Sequence, residues 1–345
     1  MRVLFLSNYS PYEKVKNGLM PSQHLFGFKE LPEDEYKVDY VEIRAKKNKI
    51  FELMYEFYLA LKFSLLRRYD VIYDSLAVIE RGMGILKRFK ILSQKYVVVM
   101  HHPPFEKRLE ICKYDAMMFL DEVAYNEMKE KFPNQAAYMN LNVWGPDLSF
   151  YDSIIQKLNF EIENPLIFIS NGKTQRDHEL LVEASSKIKD EVIIVCDKNT
   201  IPSNYRNQNN VRLYFQDKPD DRKMIKLLQT CSVMVIPTLP SHKRLGCIGN
   251  TSFMDAIALG MPIIVADNSV MSNIVFTNSC GLVYHAGDLS SLVKCMQDMS
   301  NKLSLKRMGA NARSYAESVN MITYSKKNNE ILQKIMYEKK SILYI

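Results

Sequence analysis

The chain has 345 residues, of which 47% are hydrophobic and 25% charged. This composition excludes a disordered chain and is too long for one ordinary core, so about two domains are expected. A net charge of +7 suits an anionic membrane surface or a phosphorylated substrate. No zinc-finger spacing or aromatic RNA-binding motif occurs, so nucleic acid is not an expected partner.

The elements follow in chain order. Residues 2–7 (RVLFLS) read as a buried strand that runs into a turn-prone, Gly-containing loop. A helix is expected after Ser22, with Ser22 as its N-cap. Residues 37–43 alternate as a strand. A basic cluster at 44–48 leads into an aromatic-rich helix over 51–68 that ends in Arg67 and Arg68. That segment is either a core helix with charged ends or a helix lying in a membrane interface. Strands are expected at 69–75, at 96–104 (YVVVMHHPP), near 114–120 and near 138–144, with helices between them. A break at 143–165 follows, and the alternation restarts. It gives strands at 166–173, 191–197, 211–215, 232–238, 263–267 and from 281, again separated by helices. Residues 321–345 read as a basic helix.

Alternating strands and helices imply mostly parallel sheets. The expected fold is α/β, with two Rossmann-like, doubly wound domains facing a cleft. The domains run over 1–148 and 149–320, with 321–345 as a separate C-terminal helix. Ligands in such sheets sit at the carboxyl ends of the strands, which makes the cleft the default site. The N-terminus lacks a cleavable leader pattern. No run is long and apolar enough to span a bilayer. A cytoplasmic protein is expected, free or peripheral at the inner face of the plasma membrane. The six cysteines (Cys112, Cys196, Cys231, Cys247, Cys280 and Cys295) contain no CxxC pair. They are expected to be buried free thiols in a reducing compartment.

Four stretches carry candidate chemistry. In 247–267 (CIGNTSFMDAIALGMPIIVAD), Gly249, Asn250, Thr251 and Ser252 form a turn at a helix start, where N–H groups and the helix dipole favour phosphate. Asp255, one turn in, can accept two ribose hydroxyls, and Lys243 and Arg244 upstream can offset diphosphate charge. The alternative is a plain capped helix, with Thr251 or Ser252 as N-cap. In SNGKTQRDHELL, Gly172, Lys173 and Arg176 stand between a strand and a helix, either as phosphate ligands or as a solvated turn; the spacing is not that of a Walker A loop. His101 and His102 end a strand, and either can hold an acceptor hydroxyl, move a proton, or simply bond a loop carbonyl. Gly18 and His24, after the first strand, are candidates for the acceptor. Asp-x-Asp, HExxH and GxSxG are all missing, so no metal site is expected.

Together these segments resemble the GT-B family of retaining, nucleotide-sugar-dependent glycosyltransferases of the glycosyl transferases group 1 type. The resemblance spans nearly the whole chain: the opening strand and Gly loop, YVVVMHHPP, NVWGPDLSFYD, SNGKTQRDHELLVEAS, and GNTSFMDAIALGMPIIVAD. It implies transfer of a sugar from a UDP- or GDP-type nucleoside diphosphate donor to a hydroxyl acceptor, without cofactor or metal. It implies a C-domain that binds nucleotide, an N-domain that binds acceptor, and a last helix crossing back to the N-domain. The acceptor would be a glycan or a lipid-linked molecule in polysaccharide or lipopolysaccharide assembly, with peripheral contact with an anionic membrane. Many members carry Glu-x7-Glu in the last motif. Here Asp255 takes the second position and Cys247 the first, as in a sub-branch that lacks the sugar-reading glutamate. A nucleotide-sugar epimerase of the same fold and a non-catalytic sugar-nucleotide-binding protein remain as alternatives.

Overall fold

The apolar, β-branched runs become short parallel strands, and the amphipathic segments between them become covering helices. The computed structural model describes residues 1–43, 49–102, 106–155, 165–215, 220–241 and 246–337. The basic cluster at 44–48, the two prolines after His102, Lys243 and Arg244, part of the 143–165 break and the end of the basic tail lie outside the described residues. The chain divides into two units. One comprises residues 1–17, 22–144 and 321–345, and the other residues 18–21 and 145–320.

In the first unit the order is β1 (Arg2–Ser7), α1 (Pro11–Lys16), β2 (Lys37–Glu42), α2 (Lys49–Ser64), β3 (Val71–Asp74), α3 (Glu80–Arg88), β4 (Lys95–Met100), α4 (Glu106–Ile111), β5 (Ala116–Phe119), α5 (Glu122–Lys131) and β6 (Met139–Leu141). The strands form one sheet in the order β2-β1-β3-β4-β5-β6, and every pairing is parallel. β3 and β5 are buried along their whole length, as a sheet covered on both faces requires. The expected helix after Ser22 is not there. Ser22–Leu25 is a single 3-10 turn, and the Ser22 hydroxyl donates to the Glu30 carboxylate instead of capping. Phe26 and Gly27 follow at φ of 49° and 80°, which ends any helix there.

The second unit holds α6 (Leu148–Asp152), β7 (Ile167–Asn171), α7 (His178–Ser185), β8 (Glu191–Cys196), β9 (Val211–Phe215), α8 (Asp221–Leu228), β10 (Val233–Ile236), α9 (Asn250–Leu259), β11 (Ile263–Ala266), α10 (Ser272–Thr277), β12 (Gly281–Tyr284), α11 (Leu289–Asp298) and α12 (Lys302–Ser318). Its sheet runs β12-β11-β10-β7-β8-β9, and again all pairings are parallel. Counted from β7, this is the doubly wound 3-2-1-4-5-6 order, whose direction reverses between β7 and β10.

The last helix, α13 (Met321–Tyr337), packs into the first unit. The Asn328 amide donates to the Phe26 carbonyl at 3.1 Å, and Asn142 donates to the Tyr324 carbonyl at 3.1 Å. Tyr324, Ile331 and Leu332 add side chains to the buried core. All six cysteines are free thiols, and only Cys247 is not fully buried.

Candidate donor and acceptor sites

In a doubly wound sheet the crevice lies at the carboxyl ends of the strands, where the strand order reverses. In the second unit that point is the end of β7 beside β10. Asn171 is the last residue of β7, and α9 starts on the connection after β10. Arg176 bridges to Thr238, just past β10. Four of the residues read from the sequence therefore meet here: Gly172, Arg176, Ser252 and Asp255.

Asp255 sits inside α9 with both carboxylate oxygens held. Oδ1 accepts from the Tyr151 hydroxyl at 2.7 Å, and Oδ2 accepts from the Asn171 amide at 3.1 Å. Burial pushes its pKa up to about 7; the two hydrogen bonds act against this and Asp221 adds to it. Each oxygen retains a lone pair for a further donor.

Arg176 is folded back over the turn. Its guanidinium donates to the Thr174 carbonyl at 3.1 Å and to the Ser252 hydroxyl at 3.2 Å. Ser252 passes the chain on to the Asn171 carbonyl at 2.8 Å. Gly172, at φ +114°, makes room for this: a Cβ there would stand 2.6 Å from Nη2 of Arg176. Burial lowers the Arg176 pKa to about 10, so the side chain stays charged at neutral pH. Nε of Arg176, Oδ1 of Asn171 and the Tyr284 hydroxyl are buried without a hydrogen-bond partner. Buried polar atoms are nearly always paired, so these three stand out.

The N-terminus of α9 is not a side-chain-capped end. Gly249, at φ +92°, holds the N-cap position, with no side-chain cap bond. Ser252 is spent on Asn171 and Arg176, and Thr251 is exposed. The alternative of Thr251 or Ser252 as N-cap is thereby overturned: the chain enters the helix through a left-handed glycine. The Asn250 N–H donates to the Cys247 carbonyl at 3.1 Å, and the first-turn N–H groups of Thr251 and Ser252 carry the dipole's positive end. Lys173 points its charge at Asp197, with which it forms an ion pair.

In the first unit, His24 and His101 stand near the carboxyl ends of β1, β3 and β4. Nε2 of His101 lies 2.9 Å from the Ser75 carbonyl. A carbonyl only accepts, so Nε2 carries the proton and Nδ1 of the neutral ring keeps a lone pair. Burial lowers the His101 pKa to about 4, and the His24 pKa likewise, with Lys14 and then His101 adding to the effect on His24. Nδ1 of His24 pairs with the Tyr9 hydroxyl at 2.8 Å. Phe26 meets His101 edge-on at 5.6 Å, and Trp144 meets His24 edge-on at 6.0 Å. His102 is exposed beside His101. Gly18, at φ +65°, groups with the second unit, where its carbonyl accepts from Nε of Arg222 at 2.6 Å. Gly18 and His24 are therefore not neighbours in one unit.

Two residues outside the sequence-derived set join the site, Tyr151 and Asn171. Tyr151 lies inside the 143–165 break, and Asn171 ends β7. Neither has a local pattern that points at Asp255.

Residues 151–315 match the model of the family described as Glycosyl transferases group 1. No curated protein matches the chain. Among solved structures, it is similar to a sucrose-phosphate synthase from Thermosynechococcus elongatus, with TM-score 0.72 and 13% identity, over 98% of this chain and 99% of that one. A glycosyltransferase from Rickettsia africae matches with TM-score 0.67 and 14% identity, over 97% and 98% of the two chains. The Anabaena protein HepE in complex with UDP-glucose matches with TM-score 0.67 and 13% identity, over 97% and 100%. Over residues 151–315 the chain thus resembles the glycosyl transferases group 1 family, and over nearly its whole length it shares the GT-B fold of these structures.

Proposed function

We propose that the second unit holds a nucleoside diphosphate sugar and that its sugar passes to a hydroxyl acceptor held by the first. The observation that carries this reading is the cluster of Asp255, Asn171, Tyr151 and Arg176 where the strand order reverses. Asp255 accepts the two ribose hydroxyls. The guanidinium of Arg176, with its unpaired Nε, and the N–H groups of Thr251 and Ser252 at the start of α9 meet the diphosphate, whereas the charge of Lys173 is offset by Asp197. These groups offset the charge that develops on the leaving diphosphate, so transfer needs no metal. Retention of anomeric configuration follows from the resemblance to the retaining family. UDP is the first donor base to test, since the structural relative HepE is bound to UDP-glucose.

On the acceptor side, Nδ1 of His101 accepts from a hydroxyl, and His24 and His102 shape the surroundings. The acceptor is a glycan or a lipid-linked sugar, with the enzyme peripheral to an anionic membrane. A thermal-shift panel of nucleoside diphosphates and their sugars tests the donor half, because a ligand that binds the native state raises the melting temperature. A clear shift with one base family, abolished by Asp255→Ala, is expected. A shift that survives the substitution removes Asp255 from the ribose. Sugar inversion at a ring carbon of the free donor, with no acceptor present, would identify an epimerase instead.

A further inference from the structure

Over residues 54–64 helix α2 is apolar on most of its circumference, yet one side of that stretch faces solvent. Leu59, Ala60 and Phe63 are buried in the core of the first unit. On the opposite side Met54, Tyr58 and Leu61, with Leu65 in the turn that continues the helix through its N–H to the Leu61 carbonyl, are 65%, 60%, 49% and 76% exposed. At ~100° per residue these four fall within about 60° of the helix circumference, a continuous outer stripe. The turn after α3 extends it. Phe89 and Ile91 are 69% and 56% exposed. Gln94, three residues on, anchors that segment to the end of α2 by donating to the carbonyls of Ser64 and Leu66 at 3.2 and 3.1 Å.

The rim of this patch is cationic. Lys62, Arg67, Arg68, Arg88 and Lys90 are all exposed. Within 54–68 and 85–94 the only carboxylate is Glu56, and it is turned inward to accept from the Gly82 N–H at 2.9 Å. From β2, Asp39 faces Arg68 at 3.6 Å.

We propose that this face of the first unit docks on an anionic phospholipid bilayer. The outer stripe of α2 and Phe89 enter the boundary between headgroups and acyl chains, and the basic rim meets the phosphates. A helix apolar on most of its circumference is stable only when those sides are covered, and exposed apolar patches rimmed by polar groups mark interaction surfaces. A second copy is the weaker occupant, because two-fold pairing sets the same cationic rim against itself. The inference extends the membrane side of the acceptor reading above and rests on it for its purpose. The assay needs neither donor nor acceptor, so its failure leaves the transfer reading standing, and failure of the transfer reading leaves the surface standing.

The test is sedimentation of the full chain with vesicles of phosphatidylcholine alone and of phosphatidylcholine with phosphatidylglycerol. Binding to the anionic vesicles only is expected, with loss as salt rises to about 1 M. Leu61→Gln with Leu65→Gln, and separately Lys62→Gln with Arg67→Gln and Lys90→Gln, should each weaken partitioning about tenfold or more. Circular-dichroism melting checks folding, and if the double leucine variant melts early, Leu65→Gln alone serves, because that side chain is the most exposed of the stripe. No binding to anionic vesicles at low salt overturns the proposal, as does binding untouched by both variant sets. A dimer in solution that Leu65→Arg dissociates, with no vesicle binding, assigns the face to a second copy and also overturns it.

Discussion

At Asp255 a carboxylate is kept near its titration point by opposed effects. Burial raises its pKa, and the Tyr151 hydroxyl and Asn171 amide lower it. A carboxylate with a folded pKa of about 7 against an ordinary 3.8 favours the folded state in its neutral form. Stability relative to Asp255→Asn should therefore fall as pH rises from about 4 through 7, which urea titrations across that range would detect. Ribose hydroxyls donate to the ionised form, so nucleotide affinity should rise through the same window. Tyr151→Phe removes a bond that favours the charge. It should move the midpoint of that rise to higher pH, whereas a merely structural tyrosine would lower affinity equally at all pH values. Gly172→Ala should weaken diphosphate binding more than nucleoside binding, because the new Cβ displaces the Arg176 guanidinium; the left-handed backbone adds about 1–3 kcal/mol of strain. Titration of UDP against uridine checks this. Asp255 and Arg176 were legible because each lies in a strand–turn–helix segment with its own pattern. Tyr151 and Asn171 were not, because they stand 104 and 84 residues from the carboxylate they hold, a relation that only the folded sheet creates.

Among the elements, α12 fixes the helix that carries Asp255. Gly309 lets α12 approach the turn after α9 so closely that a Cβ would lie 2.4 Å from the Gly260 carbonyl oxygen. Arg313, one turn on, donates to the Ala258 carbonyl at 2.7 Å and holds Asp152 through both carboxylate oxygens at 2.9 Å. Asp152 ends α6, the helix that presents Tyr151. One arginine thus ties together the two helices that form the carboxylate site. Arg313→Ala should cost about 1–2 kcal/mol, since Asp152 is half exposed and only the carbonyl bond is well buried. It should also reduce the UDP thermal shift without touching a ligand atom. Unchanged donor affinity at reduced stability would limit Arg313 to packing. The strand and helix alternation was readable from periodicity alone. The 3-10 turn at Ser22 was not, because a capping serine followed by apolar residues looks the same whether or not Phe26 and Gly27 turn the chain left-handed.

At the level of the whole molecule, each unit has its own sheet and its own hydrophobic core. The first is completed by α13, from the far end of the chain. Removing residues 321–345 strips the buried side chains of Tyr324, Ile331 and Leu332 from the first unit. The truncated chain should lose the first unit's cooperative unfolding while hydrogen exchange in β7, β10 and β11 stays slow. The central claim is that the second unit binds a nucleoside diphosphate through Asp255 and Arg176. Calorimetric titration of UDP and GDP into the wild type and Asp255→Ala tests it most directly. Saturable binding of one diphosphate to the wild type, weakened by about a hundredfold or more in the variant as two charge-assisted ribose bonds are lost, is the predicted result. Equal binding to both proteins, or none to the wild type at millimolar nucleotide, would contradict it.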